Sequence, residues 1–132
     1  MHANLNGDNR SNRNRLIPFC MFTDPELARV GNNELEAHRD GIEYRIAKLP
    51  MAEVLRTKTI SEPRGFMKAL VVKDSDEILG FTAFGFEASE LMVAMQTAML
   101  GHLPYTVLRD AILTHPTMSE GLAQLLANVP AR

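Results

Sequence analysis

Gly65–Phe86 reads GFMKALVVKDSDEILGFTAFGF, and this stretch decides the fold. Two apolar runs rich in Val, Ile, Leu and Phe flank KDSDE, a connector of turn-forming and charged residues. That pattern predicts an antiparallel hairpin with a five-residue loop. Gly80, inside the second run, marks a bulge or a close backbone approach.

C-terminal to the hairpin the period changes. Ala88, Leu91, Met92, Met95, Ala98 and Met99 recur at three-and-four spacing, which predicts an amphipathic helix ending at Gly101. Glu87 and Glu90 are expected in its first turn, where negative charge suits the helix dipole. Pro104 opens a second helix through Leu108, Ile112 and Leu113, which must stop before Pro116. A last helix spans about Ser119 to Ala127.

N-terminal to the hairpin the elements are shorter. LIPFCMF, Leu16–Phe22, is an apolar run broken by Pro18 and suits an edge strand. Thr23–Glu26 reads as a turn or a capped helical turn, with Pro25 at a first helical position. Val30-Gly31-Asn32 is a stop. Asn33 caps a short helix that closes at Gly41. Ile42 to Leu49 alternates, with Ile42, Tyr44 and Ile46 set against Glu43, Arg45 and Ala47, as in a half-buried strand. Met51 to Thr59 fits one or two helical turns. Strands therefore precede helices. The expected class is α+β, a mostly antiparallel sheet with helices packed on one side.

The 132 residues are one domain's length. A net charge of -2 gives no push toward nucleic acid or acidic membranes. No apolar stretch is long enough for a membrane span, and the N-terminus lacks the apolar region of a signal peptide. Neither nucleic acid nor membrane is expected as a partner, and the expected location is cytoplasmic. Residues 1–15, rich in Asn and Arg, read as a flexible linker. Residues 16–132 read as the folded domain.

The single cysteine, Cys20, excludes a disulfide framework, a cysteine-based metal site and two-thiol redox chemistry within one chain. Cys20 reads either as a nucleophile paired with His115 or as a buried core cysteine in an apolar run, and no local Lys, Arg or helix N-terminus is evident to lower its pKa. His2, His38 and His102 do not cluster with acidic residues at a metal-binding spacing, so no metal is expected. No phosphate-cradling glycine motif is present, so no cofactor is expected in this chain. The stripe of Met92, Met95 and Met99 suits a core or a homodimer surface.

His115-Pro116-Thr117-Met118-Ser119-Glu120 is the one constellation with chemical character. Glu120 can reach one imidazole nitrogen of His115, fix the tautomer and raise the basicity of the other nitrogen. That is the orienter–base half of a catalytic triad. The same two residues also read as helix punctuation, with His115 a C-terminal cap and Glu120 a first-turn charge.

Four stretches occur together in order: FTDPELARVG (Phe22–Gly31), RGFMKALV (Arg64–Val71), ILGFTAFGFEASEL (Ile78–Leu91) and HPTMSEGL (His115–Leu122). They resemble the C-terminal dimerisation domain of the pyridine nucleotide-disulfide oxidoreductases, with a flavour nearest the mercuric-reductase-like branch. The resemblance runs from about Arg15 to Val129. It implies a two-fold homodimer. It also implies that His115, held by Glu120, acts as acid/base in the partner subunit's active site, that Thr117 is structural and that the His115–Pro116 peptide is cis. Residues 1–15 would lead out of a flavin domain. The parent enzymes use FAD, NAD(P) and a cysteine pair, all expected outside this chain, which alone is expected to be inactive. Two other roles remain open: a stand-alone dimeric binding or scaffold module, and a subunit that completes a flavin-binding chain's site in trans.

Overall fold

A computed structural model describes residues 5–7, 11 and 15–132. Most of the expected N-terminal linker, with Arg10 and Arg13, lies outside the described residues. Among the described residues five strands form one sheet: β1 Phe19–Met21, β2 Glu26–Gly31, β3 Tyr44–Pro50, β4 Phe66–Val72 and β5 Ile78–Gly85, in the order β1-β2-β5-β4-β3. Every neighbouring pair is antiparallel. Among the described residues the helical elements are α1 Glu34–Arg39, α2 Leu55–Thr59, α3 Ala88–Leu100, α4 Tyr105–Arg109 and α5 Glu120–Ala127, with a 3-10 turn at Met51–Glu53.

The expected hairpin is β4–β5, joined by residues 73–77. Val72 N–H donates to Glu77 O, and the Ser75 hydroxyl accepts from Glu77 N–H, which closes the loop locally. Leu70 faces Gly80 and Val71 faces Ile78, so Leu79 is an extra residue in β5. The bulge thus lies beside Gly80. The close approach is at Gly80 itself, where a Cβ would stand 2.0 Å from Asn32 O.

The register gathers Ala28, Val30, Phe81, Ala83, Ala69, Met67, Ala47 and Leu49 on one face. All are at most 3% exposed. The two longest helices, α3 and α5, cover this face with Leu91, Met92, Met95, Leu122, Leu125 and Leu126. Burial of a side chain the size of Phe81 contributes about 1.5–3 kcal/mol, so this layer dominates the fold's stability. Leu70 points to the other face. There α1 is tied down by ion pairs from Glu36 to Arg29 and from Glu34 to Lys68. Leu70 and Ala37 of α1 are buried apart from the main core.

Several expectations change. Pro25 does not open a helix: it follows a cis peptide with Asp24, and β2 begins at Glu26. In β3 the face toward the main core carries Arg45, Ala47 and Leu49 rather than Tyr44 and Ile46. This is possible because the Arg45 guanidinium finds partners in Ser75 O, Pro130 O and Asp76, and lies over the Tyr105 ring. The helix opened by Pro104 ends at Arg109, and Ile112 is fully exposed. Tyr105 is buried and Leu108 packs against the core, but Ile112, one turn on, meets only solvent, so no apolar contact carries the helix further.

Glu87 lies outside the first turn of α3. It is the N-cap in a left-handed conformation (φ 53°) and its side chain caps nothing. The cap comes from β2 instead, where Glu26 accepts from both the N–H and the hydroxyl of Ser89. Finally, Met92 and Met95 are buried in the core, and Met99 packs against it. The methionine stripe is thus packing, and the exposed apolar residues of α3 are Val93 and Leu100.

Candidate active site

His115 and Glu120 lie on either side of the turn that starts α5. Met118, 4% exposed, anchors the turn in the core, and its carbonyl accepts from Gly121 N–H. Ser119 precedes α5 without a side-chain cap. The carboxylate of Glu120 therefore sits at the positive end of an uncapped helix. It turns back over the preceding loop.

The site's geometry is a clasp. His115 Nδ1 lies 2.8 Å from Glu120 Oε1. Thr117 N–H donates to Glu120 Oε2 at 3.0 Å, and the Thr117 hydroxyl donates to Thr114 O. The His115–Pro116 peptide is cis. The Thr117 amide first, and the His115 ring second, hold the Glu120 carboxyl below its ordinary range. An ionised carboxylate only accepts hydrogen bonds. Nδ1 must therefore carry the proton, which leaves Nε2 as the basic nitrogen. The His115 side chain is 64% exposed while that of Glu120 is 22% exposed. The carboxylate is sheltered and the imidazole faces outward.

The sequence anticipates His115 and Glu120 but not the Thr117 amide. A backbone donor leaves no signature in residue type, and the family resemblance implies only that Thr117 is structural.

Cys20 is not brought into this arrangement. It lies on β1, partly buried against the core margin, in a shallow cavity of about 410 Å³ lined by Phe19, Met21, Leu27, Arg29 and Glu36. Burial, then the Glu26 charge, push its thiol up, the reverse of activation. His38 lies in the last turn of α1, and His102 follows α3 with φ 51°. Among the described residues no three of His, Cys, Asp and Glu come together in a group that could hold a metal ion. No helix among them is long and apolar enough to cross a membrane.

Residues 17–126 match the sequence model of the pyridine nucleotide-disulphide oxidoreductase dimerisation domain. The chain belongs to this dimerisation-domain family. It is 34% identical over 122 residues to the probable pyridine nucleotide-disulfide oxidoreductase RclA of Escherichia coli, covering 92% of this chain and 27% of that protein. It is 34% identical over 119 residues to the mercuric reductase of Shigella flexneri, covering 90% of this chain and 21% of that one. A solved structure described as the HOCl-induced flavoprotein disulfide reductase RclA superposes with a TM-score of 0.88 at 34% identity. The match covers 96% of this chain and 29% of that one. The α+β class of the domain agrees with this neighbour. The chain spans about a quarter of the length of the relatives it matches.

Proposed function

We propose that this chain is the homodimerising domain of a FAD-dependent pyridine nucleotide-disulphide oxidoreductase, and that it delivers His115 and Glu120 to the partner subunit's active site. The observation that supports this is the clasp: an outward-facing imidazole whose Nδ1 is held at 2.8 Å by a carboxylate that a backbone amide also binds. A base this exposed is available to a second subunit.

FAD and NAD(P), bound elsewhere in such an enzyme, supply the passage of electrons between a nicotinamide and a dithiol. The residues present here do not fit a dinucleotide. Three glycines in and beside the sheet, Gly31, Gly65 and Gly80, have their Cβ positions filled by neighbouring backbone: Phe84 O at 1.7 Å from that of Gly65 and Leu79 O at 2.4 Å from that of Gly31. They make close strand packing rather than an open phosphate cradle.

The chain's own contribution is a proton. Nε2 of His115 takes the proton of a thiol presented by the partner and leaves a thiolate. The imidazolium formed is stabilised by Glu120 through Nδ1–H, and Nε2 later returns the proton to sulfur. A positioned acid/base of this kind contributes about 10²–10⁴-fold.

Two measurements test the reading. Size-exclusion chromatography with light scattering is expected to give twice 14.7 kDa at micromolar concentration, and a clean monomer would contradict self-association. In a chimera where this domain replaces the matching one of a relative, His115→Ala is expected to lower dithiol turnover by roughly 10²-fold or more while FAD content holds. Unchanged turnover would remove His115 from the mechanism. A second reading, a stand-alone dimeric binding module, draws on the exposed Phe19, Met21, Phe22 and Phe66 near one end of the sheet. It predicts a dimer whose chimera is inactive with or without His115.

A further inference from the structure

Glu120 is the first residue of α5, and the residue after it makes a close contact outside the clasp. Gly121 follows Glu120 and is buried in the first turn of α5. A Cβ placed on it would stand 2.8 Å from Met67 Cε, and 2.9 and 3.4 Å from the two methyls of Val54. Met67 can swing its terminal methyl aside, since methionine has three rotatable bonds.

Val54 has no such freedom. It is 1% exposed and stiff about χ1. Its N–H donates to Met51 O at 3.0 Å, and its carbonyl accepts from Thr57 N–H at 3.2 Å. The fully buried Thr57 hydroxyl is shared between Met51 O at 2.6 Å and Val54 O at 2.8 Å. A methyl added at position 121 therefore moves the helix rather than the valine. The turn that moves is the one that carries Glu120. That carboxylate must meet His115 Nδ1 and Thr117 N–H together, and hydrogen bonds weaken quickly with displacement and misalignment.

We propose that Gly121 and Val54 are a size-matched pair that sets the depth of the first turn of α5, and through it the hold of Glu120 on His115. Both are positioning residues, and the proposal rests on the reading of His115 and Glu120 as the functional pair. Gly→Ala in a helix ordinarily favours the helix. A loss of the clasp in Gly121→Ala would therefore come from the contact with Val54 and not from helix propensity.

The test is the ring ¹⁵N spectrum of His115 in the full chain, which reports the tautomer. Glu120→Ala sets the scale: its ring is expected to shift toward the Nε2–H form that imidazole favours in water. Gly121→Ala is expected to move the ring signals by at least half of that displacement. Val54→Ala alone should leave them near native, and Gly121→Ala/Val54→Ala should return them to native. If Val54→Ala does not fold, Val54→Cys, which removes one methyl's branching, is expected to give a partial return. Native signals in Gly121→Ala, or no return in the double variants, would overturn the proposal while leaving the clasp intact. Native signals in Glu120→Ala would instead overturn the clasp, and the proposal with it.

Discussion

Glu120 accepts two hydrogen bonds of unequal weight. The Thr117 amide bond is the largest single cause of its lowered carboxyl pKa, ahead of the His115 hydrogen bond. In His115→Ala the carboxyl should therefore titrate higher than in the native chain but still below its ordinary value of 4.5. Carboxyl ¹³C shifts followed against pH measure this, and a native midpoint at or above the ordinary value would mean that the clasp does not form. The sign follows from the lowered folded value. The clasp's stabilisation is complete above the ordinary carboxylate range and is lost as pH falls through the folded value. The five-residue spacing made the imidazole–carboxylate pair legible in the sequence. The Thr117 amide was not legible, since its direction is set by how the backbone turns between the two side chains.

Helix α1 shows what decides an element. Its local signals are strong: Asn33 caps Glu36 N–H, and the Glu36 side chain accepts from Asn33 N–H. Its position is set by two ion pairs to the sheet, Arg29–Glu36 and Lys68–Glu34. The Asn33 amide leads in holding the Glu36 carboxyl low. For Glu34, burial is the largest single cause and acts upward, but the bond to Lys68, a backbone hydrogen bond and the charges of Lys68 and Lys48 together outweigh it, so the net shift is downward. Both groups contribute above the ordinary carboxylate range and cease to as pH falls through their lowered values. Acid should therefore loosen α1 before α3. Hydrogen exchange at the Ala37 amide, corrected for intrinsic rate, is expected to speed by roughly tenfold or more between about pH 6 and pH 3, with Met95 much less affected. Equal acceleration at both sites would count against it. The hairpin, α3 and α5 follow from hydrophobic periodicity and turn residues, and α1 from its local cap. The cut-off of α4, the strand after Pro25 and the reversed face of β3 do not, since each is decided by what packs against it.

At the scale of the molecule, Arg45 is where distant parts of the chain converge. Its guanidinium, 8% exposed, binds Ser75 O in the hairpin loop and Pro130 O in the C-terminal tail, and lies beside Asp76 and over Tyr105 of α4. Arg45→Met keeps the volume and removes every donor. It is expected to lower stability by about 2–3 kcal/mol in urea unfolding, as charged hydrogen bonds are lost and Asp76 keeps only Arg132. An unchanged midpoint would show that the tail and loop hold without it. In the sequence this arginine is indistinguishable from a solvated residue on the outer side of a strand.

The cap of α3 has a consequence for the order in which the chain assembles. The bond from Glu26 to Ser89 closes a loop of 63 residues. Loop closure of that length costs about 3–4 kcal/mol of chain entropy, whereas a helix cap returns about 0.5–2 kcal/mol. The cap cannot recruit β2 by itself. It forms only after pairing of β2 with β5 has already brought the two ends together. The capping of α3 is thus a late event, completed by the sheet on which the helix rests.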